Sequence, residues 1–154
     1  MKMKAISVRP PWSDLLFLPQ DIRYHVTPGG ILDPVVKSIE TRTWQTPHRG
    51  DILICTAMKM YQGFDNPEAM EKLHALAAHQ GKPEYSPNYG MAIGVAELYN
   101  ITPMTGDHTA DACIEVYPKA YAWMMRNMRL IKPFPVKGHL MVFDVELPEP
   151  LTFI

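Results

Sequence analysis

Val35-Val36-Lys37-Ser38-Ile39-Glu40-Thr41-Arg42-Thr43-Trp44 places two cations, an acid and an aromatic in one short stretch. Extended chain alternates its side chains between two faces, so Glu40, Arg42 and Trp44 share one side and Ile39, Thr41 and Thr43 the other. Such a face suits a ligand bearing carbonyl or anionic groups. Arg42 offers a planar fork of donors, Lys37 a compact ammonium, and Glu40 orients both. A lysine desolvated in a cleft also serves as a base or nucleophile. The plainer reading of the same residues is an edge strand with solvated charges.

Working outward, the stretch is flanked by strand signals. Downstream, Thr46-Pro47-His48-Arg49-Gly50 is a turn, and Asp51 to Thr56 is a nearly continuous apolar run, as expected of a central strand covered on both faces. Met91 to Tyr99 is the next strand, with Gly94 permitting a bulge or a close backbone approach. Upstream, Ala5 to Val8 is a short strand halted by Pro10-Pro11, and Trp12 to Leu18 reads as a short helix. Pro19 to Pro34 carries Pro28-Gly29-Gly30 without a period and reads as a surface loop or insertion.

The clearest helix spans Pro67 to Gln80, with Asn66 as N-cap, Pro67 in the first turn, Gly81 beyond the end, and Met70, Leu73, Leu76 and Ala77 as the apolar face. Thr109 to Met125 reads as helical, split at Pro118. Pro133 to Gly138 reads as a rigid connector into a last strand, Leu140 to Leu147, and Pro148-Glu149-Pro150 closes the domain. Separated strands without regular crossover helices imply an α+β protein, one twisted or closed sheet with peripheral helices, in a single domain over residues 1–154.

Composition narrows the function. The 154 residues are 47% hydrophobic and 20% charged, a globular balance, and the net charge of -1 excludes coating nucleic acid by bulk charge. A local cluster of Lys and Arg must therefore make any contact with an anion. Two cysteines, Cys55 and Cys113, are too few for a disulfide framework and point to a reducing compartment. The start of the chain leads into no apolar stretch of signal-peptide length, and no run reaches the roughly 18 apolar residues of a membrane helix. The expected setting is soluble and cytoplasmic.

The remaining candidates are scattered. Arg49 could form a fork on a phosphate, with Gly50 admitting a close approach. Arg9 ends a strand beside Trp12, which could stack a base or serve as a core tryptophan. Glu97 faces away from Ala96 and Leu98, so it meets solvent or, if the strand lines a cleft, acts as a general base. Lys59 and Lys137 could extend a basic rim. The six histidines show no pairing at ligand spacing, and no Cys-x-x-Cys, phosphate loop, dinucleotide fingerprint or nucleophile elbow is present, so neither metal nor cofactor is expected.

Taken together, these segments resemble the ASCH family, part of the PUA-like superfamily. Lys4-Ala5-Ile6-Ser7-Val8-Arg9-Pro10-Pro11-Trp12 is similar to its opening strand and Pro-Trp helix start. Its hallmark, Gly-x-Lys-x-x-Glu-x-Arg, corresponds to Val35 through Arg42, followed by Thr43-Trp44, His48-Arg49-Gly50 and the Asp51 to Thr56 strand. Met91 to Leu98, Tyr121-Ala122-Trp123 and Ile131 to Gly138 resemble the later half, so the likeness runs over nearly the whole chain.

The resemblance implies a PUA-like twisted β-barrel with peripheral helices, whose basic cleft binds RNA or a modified nucleoside. It places Lys37, Glu40 and Arg42 in that cleft, with Arg49, Arg9 and Trp12 close by. It also implies an alternative: a small amidohydrolase acting on N4-acylated cytidine, or a ribonuclease, with Lys37, Glu40 and Glu97 as the catalytic candidates. Two positions depart from the family. Val35 stands at the hallmark glycine, and Glu40 stands where some amidohydrolase members carry threonine, so a Lys-Thr-Glu catalytic set does not transfer intact. Catalysis, ligand identity and oligomeric state stay open at this level.

Overall fold

The apolar run that follows the charged stretch becomes the middle of the molecule. In the computed structural model, which describes residues 1–19, 24–26, 32–34, 37–64 and 66–154, Gly50–Thr56 forms a strand between two others. Ile52, Leu53, Ile54 and Cys55 along it are almost entirely buried. Burying such side chains contributes roughly 1.5–3 kcal/mol for each large aliphatic.

The elements in chain order are β1 (Lys2–Val8), α1 (Trp12–Leu15), β2 (Tyr24–Val26), β3 (Leu32–Pro34), β4 (Ile39–Arg42), β5 (Gly50–Thr56), α2 (Pro67–His79), β6 (Met91–Pro103), α3 (Thr109–Ala112), β7 (Tyr121–Pro135) and β8 (Phe143–Glu146). Six strands form one mixed sheet in the order β4-β7-β6-β5-β1-β8. β1 and β5 run parallel, with Ala5 opposite Leu53, and every other pairing in the sheet is antiparallel. The sheet curls into a half-barrel carrying a few short helices. Its curl is visible in one contact: Arg42 at the end of β4 donates from Nη2 to the Ser7 carbonyl of β1 at 2.8 Å, although β7, β6 and β5 lie between those strands in the sheet.

Local sequence explains most boundaries. Asn66 Oδ1 accepts the Ala69 N–H at 3.0 Å and caps α2, Pro67 opens it, and Gly81 follows its end at φ 72°. Leu73 and Leu76 pack into the core, and Ala77 beside them is buried. At Gly94 in β6 a Cβ would lie 2.4 Å from the Phe17 ring and 2.8 Å from the Arg129 carbonyl oxygen, and the β6–β7 register shifts beside it. The glycine gives both a bulge and a close approach.

Three expectations are corrected. Thr109 to Met125 is not a split helix. α3 stops at Ala112 because Cys113 turns left-handed at φ 60°, and after Lys119, at φ 65°, the chain enters β7. Tyr121 to Met125 is short enough to read either way, and pairing decides: Ala122, Trp123 and Met125 are buried between β4 and β6. The Pro133–Pro135 connector is instead the end of β7. Prolines are tolerated there because β4 pairs only with Tyr121 to Met124, leaving that edge of β7 to the chain terminus, where Lys132 N–H donates to the Thr152 carbonyl at 2.7 Å. The last strand is Phe143–Glu146, not Leu140 to Leu147, since Leu140 and Met141 loop outward.

The Pro19 to Pro34 stretch, read as loop, contains the antiparallel pair β2–β3, with His25 opposite Asp33. Residues 20–23 and 27–31 of that stretch, along with Val35 and Val36, lie outside the described residues. Among the described residues no helix is long and apolar enough to cross a membrane.

Candidate functional site

The short strand β4 carries Glu40 on its inward side. Lys37, just ahead of it, is 1% exposed and Glu40 3%. Unpaired charges are rarely buried so deeply, and the cluster shows how these are held. Lys37 Nζ donates to the Ile39 carbonyl and to the Ala112 carbonyl, both at 2.7 Å, and lies 3.8 Å from Glu40 Oε1. Ala112 is the last residue of α3, so the ammonium satisfies a carbonyl that the helix end leaves unpaired. The Ser38 N–H donates to the Asp111 carbonyl at 2.9 Å and ties the same turn to the strand. The Lys37 ammonium also sits 5.0 Å from the centre of the Trp12 ring.

Glu40 Oε1 accepts the Thr41 N–H at 2.8 Å and faces Arg42 Nη1 at 3.3 Å. Arg42 in turn donates to the carbonyls of Thr41 and Ser7, each at 2.8 Å. Burial pushes the Lys37 ammonium below its usual pKa, with Glu40 opposing. For Glu40, burial pushes upward, but Lys37, then Arg42, then the Thr41 N–H outweigh it and hold the carboxyl below the usual range. Glu40 is therefore an anion near neutral pH, clasped between two cations.

These residues floor a cavity of about 780 Å³, within the range of small-ligand sites. Trp12, Trp44, Tyr61 and Tyr117 contribute its aromatic walls, and Arg9 reaches it from the end of β1. Trp12 is 8% exposed, with Lys37 over its ring and Tyr61 and Phe64 edge-on at 5.3 and 4.9 Å, so it is fixed wall rather than a free platform. Trp44, Tyr61 and Tyr117 are half-buried and present more of their surface. Tyr117 Oη donates to Thr41 Oγ1 at 2.9 Å.

The structure thus brings Lys37, Glu40, Arg42, Trp12 and Arg9 together and leaves two candidates apart. Arg49 is exposed and donates to the carbonyls of Thr46 and His48 in its own turn, at 2.7 and 2.8 Å, outside the cavity lining. Glu97 lies on the outer face of β6, paired with Arg126 at 2.5 Å, and also does not line the cavity. Lys59 and Lys137 are exposed and outside it as well. Ser7, Tyr61 and Tyr117 line the cavity without having been singled out in the sequence. Only Ser7 carries a signal, as a residue of the first strand two positions before Arg9.

A second hollow of about 810 Å³ lies beneath Met3, Val95, Leu147, Leu151 and Phe153. Volume does not separate the two, but chemistry does: only the first has buried charges converging on its floor. No group of three or more potential metal ligands occurs among the described residues.

No protein-family model matches the sequence, and no curated protein matches it. Solved structures do. The chain is similar to the ASCH protein from Zymomonas mobilis, with a TM-score of 0.51 and 12% identity over 93% of this chain and 87% of that one. A tyrosine-to-phenylalanine mutant of that protein gives a TM-score of 0.50 and 12% identity over 93% and 89%. At this identity the likeness establishes the fold.

Proposed function

From a chain that has the PUA-like fold of ASCH domains, we propose a single ASCH-type domain over residues 1–154 that binds RNA or a modified nucleoside in the cavity over β4. One observation carries this reading: the inward-facing Lys37–Glu40–Arg42 cluster floors a cavity of about 780 Å³ with aromatic side chains in its walls. Flat rings between aromatic walls, with hydrogen bonds at the floor, are how proteins take unstacked bases. Arg9 at the mouth supplies a cation for a phosphate, a contact that positions rather than specifies. Cys55 and Cys113 are both buried and are not joined in a disulfide, which supports a cytoplasmic setting.

An enzymatic reading, an amidohydrolase on N4-acylated cytidine or a ribonuclease, draws support from the depressed pKa of Lys37, since a neutral amine is the form that attacks or takes a proton. Against it stand the two carbonyls that hold Nζ and the distance of Glu97 from the cavity. Binding is the reading the geometry favours.

The test is a titration of single-stranded RNA and of nucleosides against the protein and its Arg42→Ala variant, at low and raised salt. The expected result is weaker binding by the variant and a salt dependence for RNA but not for nucleosides. Affinity that responds to neither change would reject the cavity as the binding site. Incubation with N4-acylated cytidine and with RNA at high protein concentration is expected to leave both intact; turnover abolished by Lys37→Ala would favour the enzymatic reading instead.

A further inference from the structure

The floor of the cavity is incomplete in one respect. Glu40 Oε1 is fully engaged, but Oε2 is buried and meets no hydrogen-bond partner among the described residues. Ser7 Oγ, on the same cavity, is buried and unpartnered as well. The two residues that carry these orphans meet one guanidinium through their other oxygens: Arg42 lies 3.3 Å from Glu40 Oε1 and 2.8 Å from the Ser7 carbonyl. A buried carboxylate oxygen without a donor is costly, and one such atom at the base of a ligand-sized cavity marks where a donor is missing. The terminal torsion of a glutamate is soft, and a ligand donor reaches the buried Oε2 by a turn of the carboxylate in which the Thr41 N–H and Arg42 contacts to Oε1 readjust.

We propose that the floor reads a lactam-type edge, an N–H beside a carbonyl, with Glu40 Oε2 accepting the N–H while Ser7 Oγ and the remaining N–H groups of Arg42 donate to the carbonyl. This rests on the nucleoside reading above and names the part of the ligand that enters first. An ionised carboxylate accepts only, and Lys37 already gives two of its donors to backbone carbonyls. A phosphate or carboxylate seated there would set acceptor against acceptor and like charge against like. On this proposal the Glu40 carboxylate disfavours an anion at the deepest point, although the Lys37 and Arg42 heads lie beside it. Uracil and guanine rings present the required edge.

The experiment compares uridine with 3-methyluridine, and guanosine with 1-methylguanosine, by calorimetric titration into the intact protein, with inorganic phosphate as competitor. Methylation removes the donor and leaves Oε2 unpaired, so the parents are expected to bind at least about tenfold tighter than their methylated forms. Phosphate is expected not to displace them. In Glu40→Gln the preference should collapse; should that variant fail to fold, the wild-type ratios still decide. Equal binding of parent and methylated forms, displacement by phosphate, or binding of RNA with neither parent nucleoside would each overturn this inference and leave the nucleic-acid reading standing. Absence of binding to any nucleoside or RNA would remove both.

Discussion

Two sets of opposed charges sit on one curled sheet under opposite conditions. On the outer face, Glu97 pairs with Arg126 and Asp51 with Arg129 at 2.7 Å, across β5, β6 and β7, with Arg126 63% exposed. On the inner side, Lys37 and Glu40 sit almost out of contact with water, with the half-buried Arg42 beside them on the floor of the cavity. The outer pairs can be lost to solvent at little cost, because water replaces each partner. The inner ones cannot, because the charges are held by one another and by backbone N–H and carbonyl groups rather than by water. Residues of the same type therefore serve colloidal surface in one place and a preorganised site in the other.

The largest effect that would test this contrast is on stability. Lys37→Met leaves Glu40 facing Arg42 alone and the Ala112 carbonyl unpaired, and is expected to cost about 3–5 kcal/mol in urea unfolding. A loss no greater than that of an outer-face variant would erase the distinction between the regions.

A smaller effect sharpens it through pH. Glu40 titrates below its ordinary value of 4.5 in the folded chain, so its stabilising contribution is complete above that value and disappears as pH falls through the folded one. Glu40→Gln is expected to be less stable than the parent by about 1–3 kcal/mol near neutral pH. Unfolding curves of the two should converge in acid. Lys37 acts in the same direction at the other end of the scale. Its folded pKa lies below 10.5, so the unfolded chain binds more protons in that window and the residue's contribution to stability rises with pH across it.

The smallest effect belongs outside. A double-mutant cycle on Glu97→Gln and Arg126→Gln is expected to give a coupling below about 1 kcal/mol that fades with added salt. Nucleoside binding in both variants should match the parent. A strong coupling, or lost binding, would move the functional face from the inner to the outer side.

How far each region could be read in advance follows from the range of the forces that make it. The Asp51 to Thr56 strand and the Asn66-capped helix declare themselves locally, through an unbroken apolar run and a capping residue followed by proline. Tyr121 to Met125 does not, because its strand state depends on β4 and β6, which are distant in the chain. The same limit applies to the site. Lys37, Glu40 and Arg42 share a motif, and Arg9 after β1 is three residues from Trp12 at the start of α1, so proximity is legible within each pair of segments. Tyr61 and Tyr117 arrive from segments that only the curl of the sheet brings over the cavity. Glu97 and Arg49 are candidates by charge, by alternation or an adjacent glycine, and by resemblance, and the register of β6 and the turn before β5 point them elsewhere.

The most direct test of the inward-facing cluster as a ligand floor is a crystal structure of the protein soaked with uridine. The account predicts the ring between Trp44, Tyr61 and Tyr117 with its N–H directed at Glu40 Oε2. A ring bound in the hollow beneath Met3 and Phe153, or on the outer face beside Arg126 with the β4 cavity empty, would contradict it.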